Sequence, residues 1–219
     1  MTSPSCSLTK AINGFQHHKS HYPFRHLLNK MKELLADLTS GDDARAEKAI
    51  IPLVELGKVA IGPLLELTRS QNEDTRWWAI RALSASPHTQ TLDLIPLLND
   101  SSSSVRAATA LAIMNHPSEE ATEALIKTLY DEDTLTANLA SNALVKIGSH
   151  TTPSLLKVME EANTNVRILA IRALAEIKDH RAIPVMMKCL NNEHESAVIQ
   201  YWAVQGLDKL GLDMVYINP

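Results

Sequence analysis

The stretch NTNVRILAIRALAEI, running from Asn163 to Ile177, decides the fold. Within it Ala170 and Ala173 stand three apart and Leu174 follows at once. The same arrangement of a small residue, two others, a small residue and a large aliphatic one occurs six times. It reads Ala49, Pro52, Leu53; Ala79, Ala82, Leu83; Thr109, Ala112, Ile113; Ala140, Ala143, Leu144; Ala170, Ala173, Leu174; and Ala203, Gly206, Leu207. Three residues upstream of each set lies an anchor, Ala46, Arg76, Arg106, Ala137, Arg167 or Gln200, so the spacings are 30, 30, 31, 30 and 33 residues. A fixed period of that length marks a solenoid of two-helix repeats. The expected fold is therefore all-α, an α-solenoid of about six helical hairpins over residues 26–219.

Helix geometry explains the small residues. Positions three, six, seven and ten after an anchor share one face. Alanine there lets neighbouring helices approach near the lower end of the usual spacing of about 8–10 Å. The second helices are expected at Asp74–Ser86, Ser104–His116, Thr134–Ile147, Asn165–Lys178 and Ser196–Leu210, with Ser104, Thr134 and Ser196 as N-cap types. Eleven residues past the anchors stand Gly57, Pro87, Pro117, Gly148, Lys178 and Gly211, of which five are helix breakers. First helices are expected to be shorter, with Pro63, Pro153 and Pro184 near their starts, where a missing donor costs nothing.

Composition restricts function modestly. The 219 residues are 45% hydrophobic and 21% charged, with a net charge of −4. That balance suits a large buried core and disfavours a general nucleic-acid binder. Two distant cysteines, Cys6 and Cys189, point to a reducing, cytoplasmic setting without disulfides. No apolar run is long enough to cross a membrane, and the N-terminal stretch has no secretory apolar core. Residues 1–30 hold four basic residues and no acid, so they carry +4 and the remainder −8. Residues 1–25 read as a loosely ordered basic arm containing His17, His18 and His21. A docking tail, a transit peptide or a transition-metal tract are the functional readings there, and an untethered terminus needs none of them.

The segments DSSSSVRAATALAIM from Asp100, NTNVRILAIRALAEI from Asn163 and EDTRWWAIRALSA from Glu73 resemble HEAT repeats, in particular the short repeats of phycobilisome-lyase-like proteins. The family pattern places an acid in the turn within each repeat and an arginine at the start of the second helix. Asp100 with Arg106 matches; Arg76 and Arg167 match with the acid displaced to Asp74 or replaced at Glu161; Ala137 and Gln200 depart. The resemblance implies either a protein-binding scaffold or a chromophore-handling protein that attaches or removes a bilin. A HEAT-repeat metal hydroxylase of the deoxyhypusine type would need several His-Glu pairs, and only His194-Glu195 is present. His88, His116, His150 and His180 fall near turns too far apart to share one metal ion, and read as solvated. No catalytic group, metal site or cofactor is expected, because no phosphate loop, activated nucleophile or paired-carboxylate motif is present.

Two residue sets remain as candidates. Arg76, Arg106 and Arg167 occupy one repeat position and are expected to form a structural ladder with turn acids such as Asp100 and with backbone carbonyls. If they faced a groove they would instead hold phosphates or acidic peptides. Offsets one, five and eight point away from the alanine stripe, toward the concave face of a HEAT array. Trp77, Arg81, Leu111, Met114, Ile168, Arg172, Tyr201 and Gln205 lie there, in a row too apolar for a merely solvated surface. These are the expected contacts for a protein partner of unknown identity, with bilin as the alternative ligand.

Overall fold

A computed structural model describes residues 22–212 of the chain. The arm at residues 1–25, with His17, His18 and His21, lies almost entirely outside the described residues; the first helix begins at Tyr22, ahead of the expected boundary. The chain resolves into two compact units, Met1–His116 and Pro117–Pro219. Each is a short α-solenoid of three hairpins among the described residues, so the expected six repeats are present.

The first unit pairs α1 (Tyr22–Leu38) with α2 (Asp43–Glu55), α3 (Lys58–Leu67) with α4 (Glu73–Ala85), and α5 (Thr91–Leu94) with α6 (Ser103–Asn115). Here α5 runs on into a 3-10 turn at Ile95–Asn99. The second unit pairs α7 (Thr122–Thr128) with α8 (Thr134–Ile147), α9 (Thr152–Glu161) with α10 (Thr164–Ile177), and α11 (Ile183–Leu190) with α12 (Ala197–Lys209). Each first helix of this unit is led in by one 3-10 turn. The second helices stack in sequence, α2 on α4 on α6 and α8 on α10 on α12.

The N-termini of the second helices follow one rule. All six N-caps lie four residues before the anchor: Asp42, Asn72, Ser102, Asp133, Asn163 and Ser196. Four of them accept backbone N–H bonds through their side chains, for example Asp133 from Thr136 at 2.8 Å and Asn163 from Val166 at 3.2 Å. The caps expected at Ser104 and Thr134 therefore move upstream to Ser102 and Asp133. In turns crowded with cap-type residues, the extended backbone of Ser102 and Asp133 selects them as the caps.

At the other end of these helices Gly57, Gly148 and Gly211 have φ of 68°, 86° and 78°. Lys178, at the same repeat position, takes φ 59° without being glycine. Pro63 departs from expectation: it sits inside α3, because the helix starts upstream at Lys58 to bury Ala60.

The core is the alanine stripe with its aliphatic neighbours. Ala79, Ala82, Leu83, Ala140, Ala143, Leu144, Ala170, Ala173 and Leu174 are each 0% exposed. Gly206 replaces alanine in the last repeat for a visible reason. A methyl group there would lie 2.5 Å from Met186 Cε and 3.1 Å from Ala175 Cβ, so the methionine tip fills the space that alanine fills elsewhere.

Candidate functional site

Arg76 and Arg167 are each half-buried against a carboxylate of the next repeat. Arg76 donates from Nε to Asp100 Oδ2 at 2.8 Å and from Nη2 to Asp100 Oδ1 at 2.7 Å, while its Nη1 reaches the Ser70 carbonyl at 2.9 Å. Arg167 forks onto Glu195 end-on, with Nη1 at 3.1 Å and Nη2 at 2.5 Å, and its Nε meets the Met159 carbonyl. The acids are thus Asp100 and Glu195, one repeat further on, rather than Asp74 or Glu161. A guanidinium at the start of a second helix projects toward the next hairpin's turn, which brings the forward carboxylate into bidentate range. Arg106 donates to the Asp100 and Ser101 carbonyls at 2.9 and 3.4 Å.

The electrostatics agree with this pairing. Burial alone would raise the Asp100 carboxyl. Hydrogen bonds from Arg76 and the Ser102 N–H, with the charges of Arg76 and Arg106, outweigh it and hold the group below the usual carboxylate range. The Arg167 hydrogen bonds lower Glu195 against its burial. Asp179 is held at about 2, chiefly by the Arg181 side chain, whose Nε lies 2.9 Å from Oδ2.

The candidate binding row divides between the units. In the first unit Leu111 is 46% exposed, and Trp77, Arg81 and Met114 are half-buried. Trp77 packs edge-on to Trp78, with centroids 4.9 Å apart. Arg81 reaches back to Glu47 at 3.1 Å. Ile51, 69% exposed on α2, is an apolar neighbour of this row that the sequence reading missed. It lies in the first repeat at the offset of Arg81 and Leu111, so extending the row by one repeat would have found it.

In the second unit Tyr201 is 56% exposed and packs edge-on to Trp202 at 5.5 Å. Ile168, Arg172 and Gln205 are half-buried. Arg172 donates from Nη1 to Asn138 Oδ1 at 2.9 Å and from Nη2 to Asn142 Oδ1 at 3.4 Å. Both acceptors are neutral amides, and burial, opposed by the charge of Glu176, lowers the pKa of the guanidinium. Leu135 and Val198, 60% and 47% exposed, lie one helical turn before Asn138 and Tyr201 and enlarge the same surface. Their signal was the same stripe continued one turn upstream. Two row positions are sheltered instead: Ala107 is 6% and Ala175 0% exposed.

Two grooves lie in this unit, and the first of them touches the row at Ile168. One of about 520 Å³ is lined by Leu129, Tyr130, Asn138, Val166 and Ile168, among others. A second, of about 760 Å³, lies between α9 and α11 beside Arg167, Lys188 and the buried free thiol of Cys189. The turn histidines are dispersed. His116 is half-buried with Nε2 3.0 Å from the Ser84 carbonyl, and so is not simply solvated, whereas His150 lies exposed 3.1 Å from Glu119. Among the described residues no group of three His, Cys, Asp or Glu is placed to hold a metal ion, and no helix is long and apolar enough to cross a membrane.

Known proteins place this architecture. In fold, the chain is similar to YibA of Escherichia coli at 20% identity, with a TM-score of 0.54 over 93% of this chain and 81% of that one. It is also similar to an engineered protein at 20% identity, with a TM-score of 0.50 over 82% and 98% of the two chains. In sequence it is similar to the bilin biosynthesis protein RpcF of Synechococcus sp. (strain WH8020), 33% identical over 93 residues. That match spans 42% of this chain and 44% of the relative, less than half of its length. The model of HEAT repeats matches residues 91–161 and 152–216, together more than half of the chain. With six hairpins among its described residues and their alanine stripe, the chain belongs to the HEAT-repeat family.

Proposed function

We propose that the chain is a non-catalytic scaffold or adaptor that binds a protein partner on the side of its second helices opposite the alanine stripe. The observation that carries this reading is Arg172. It is half-buried, oriented by two neutral amides, and one turn from Ile168 on α10, with the exposed Tyr201 on the next second helix. A guanidinium so placed bridges two helices through neutral acceptors, has no carboxylate hydrogen-bonded to it, and can meet one brought by a partner. Trp77, Leu111 and Met114 supply apolar contact in the first unit, where Arg81 already has Glu47 as a partner. Cys189, buried with a thiol pKa raised by its burial, fits a reducing compartment such as the cytoplasm.

The test is a pull-down from native cell extract with the wild type and with a Trp77→Ala, Arg172→Ala double variant. Loss of the captured protein with an unchanged melting temperature supports the reading. Full capture by the double variant puts the site elsewhere.

The similarity to a bilin biosynthesis protein favours a second reading, in which the same surface cradles a bilin. Arg172 would then pair a propionate while Ile168 and Tyr201 lie against the rings. Titrating a free bilin into the protein distinguishes the two: a saturable shift of visible absorbance that Arg172→Ala abolishes favours the chromophore, and an unchanged spectrum removes it.

A further inference from the structure

We infer that the partner presents to the second unit an extended peptide segment, with a large apolar side chain seated in the groove between α8 and α10 and a carboxylate two residues away on Arg172. The inference rests on the protein-binding reading above and names the chemistry of the bound segment. The groove of about 520 Å³ is walled by Leu129, Ala137, Val166 and Ile168, with Tyr130, 52% exposed, at its edge. Its lining is mainly apolar, so its complement is an aliphatic or aromatic anchor.

Asn138 joins the groove to the charge. It lines the cavity and also accepts from Arg172 Nη1 at 2.9 Å. Ile168 and Arg172 are one turn apart on α10, about 6 Å along the helix axis. Two residues of extended chain advance about 6.6 Å, so a carboxylate two positions from an anchor at Ile168 comes level with Arg172. Arg172 spends hydrogen bonds on Asn138 and Asn142, and a guanidinium has five N–H donors to offer. The opposite end of the groove carries Asp131 and Glu132. These carboxylates repel an acidic residue there, so the bound segment is polarised, with its acid on the Arg172 side.

Panning a phage-displayed library of random peptides on the biotinylated full chain tests this. The expected result is enrichment of sequences with a large apolar residue and an Asp or Glu two positions from it. Changing that acid to its amide in a selected peptide should weaken binding to the wild type about tenfold, and should not weaken binding to Arg172→Gln further. A conserved fold in the variant is checked by its circular dichroism. Enrichment of basic sequences, of apolar sequences without an acid, or of nothing overturns the inference. If native partner capture still depends on Arg172 after such a result, the protein-binding reading stands and only the peptide chemistry falls. If capture is independent of Arg172 as well, both fall together.

Discussion

Lys178 is the clearest case of a residue out of keeping with its place. Its counterparts at three other repeat ends are glycines with positive φ, whereas Lys178 holds φ 59° with a Cβ. The left-handed region costs a non-glycine residue roughly 1–2 kcal/mol, partly offset by the entropy a glycine loses on folding. Lys178→Gly should therefore stabilise the chain by up to about 1 kcal/mol in urea denaturation. Asp100 works in the other direction. Its carboxylate accepts both Arg76 bonds and the Ser102 N–H, and only 10% of its side chain is exposed. Asp100→Ala should cost on the order of 1–3 kcal/mol, because it strands the Arg76 guanidinium in a part-buried site.

The same carboxylates set an acid limit. Asp100, Glu195 and Asp179 all have lowered folded-state pKa values, Asp179 at about 2. A lowered value means that their stabilisation is complete above the unfolded-state pKa of about 4 and is lost as pH falls toward the folded values. The thermal midpoint should thus hold steady from neutrality down to about pH 4 and fall between there and about pH 2. Asp100→Asn should show a shallower fall in a thermal scan across that range.

Elements rather than residues carry the stacking. Ala173 is 0% exposed on α10, which is held between α8 and α12. Ala173→Leu should destabilise by about 1–3 kcal/mol through overpacking, measured as a lower urea midpoint with an unchanged slope. Much at this scale is legible in the residue order: the period of about thirty, the alanine faces and the breakers locate the second helices of the last five repeats to within a residue at each end. What the order does not disclose has physical causes. Ser102 and Ser104 are equally good cap types, and only the backbone at Ser102 distinguishes them. Arg76 has acids before and after it in the chain, and the stacking of hairpins selects Asp100.

At the scale of the molecule, a repeated core leaves function to the positions where repeats differ. The period points to offsets one, five and eight, and the structure puts Arg172, Tyr201 and Leu111 on accessible surface there. It also shelters Ala107 and Ala175, since small side chains at those offsets sink beneath their neighbours. Partners reached through side chains on other elements were beyond a single-helix reading: Arg81 meets Glu47 across 34 positions of sequence, and Arg172 meets Asn138 across another 34. Protein binding by this second-helix face is the proposed function. Its most direct test is calorimetric titration of a purified captured partner against the wild type and an Arg172→Ala, Tyr201→Ala variant of equal melting temperature. Affinity should fall by at least about a hundredfold in the variant. Equal affinity for both proteins would contradict it.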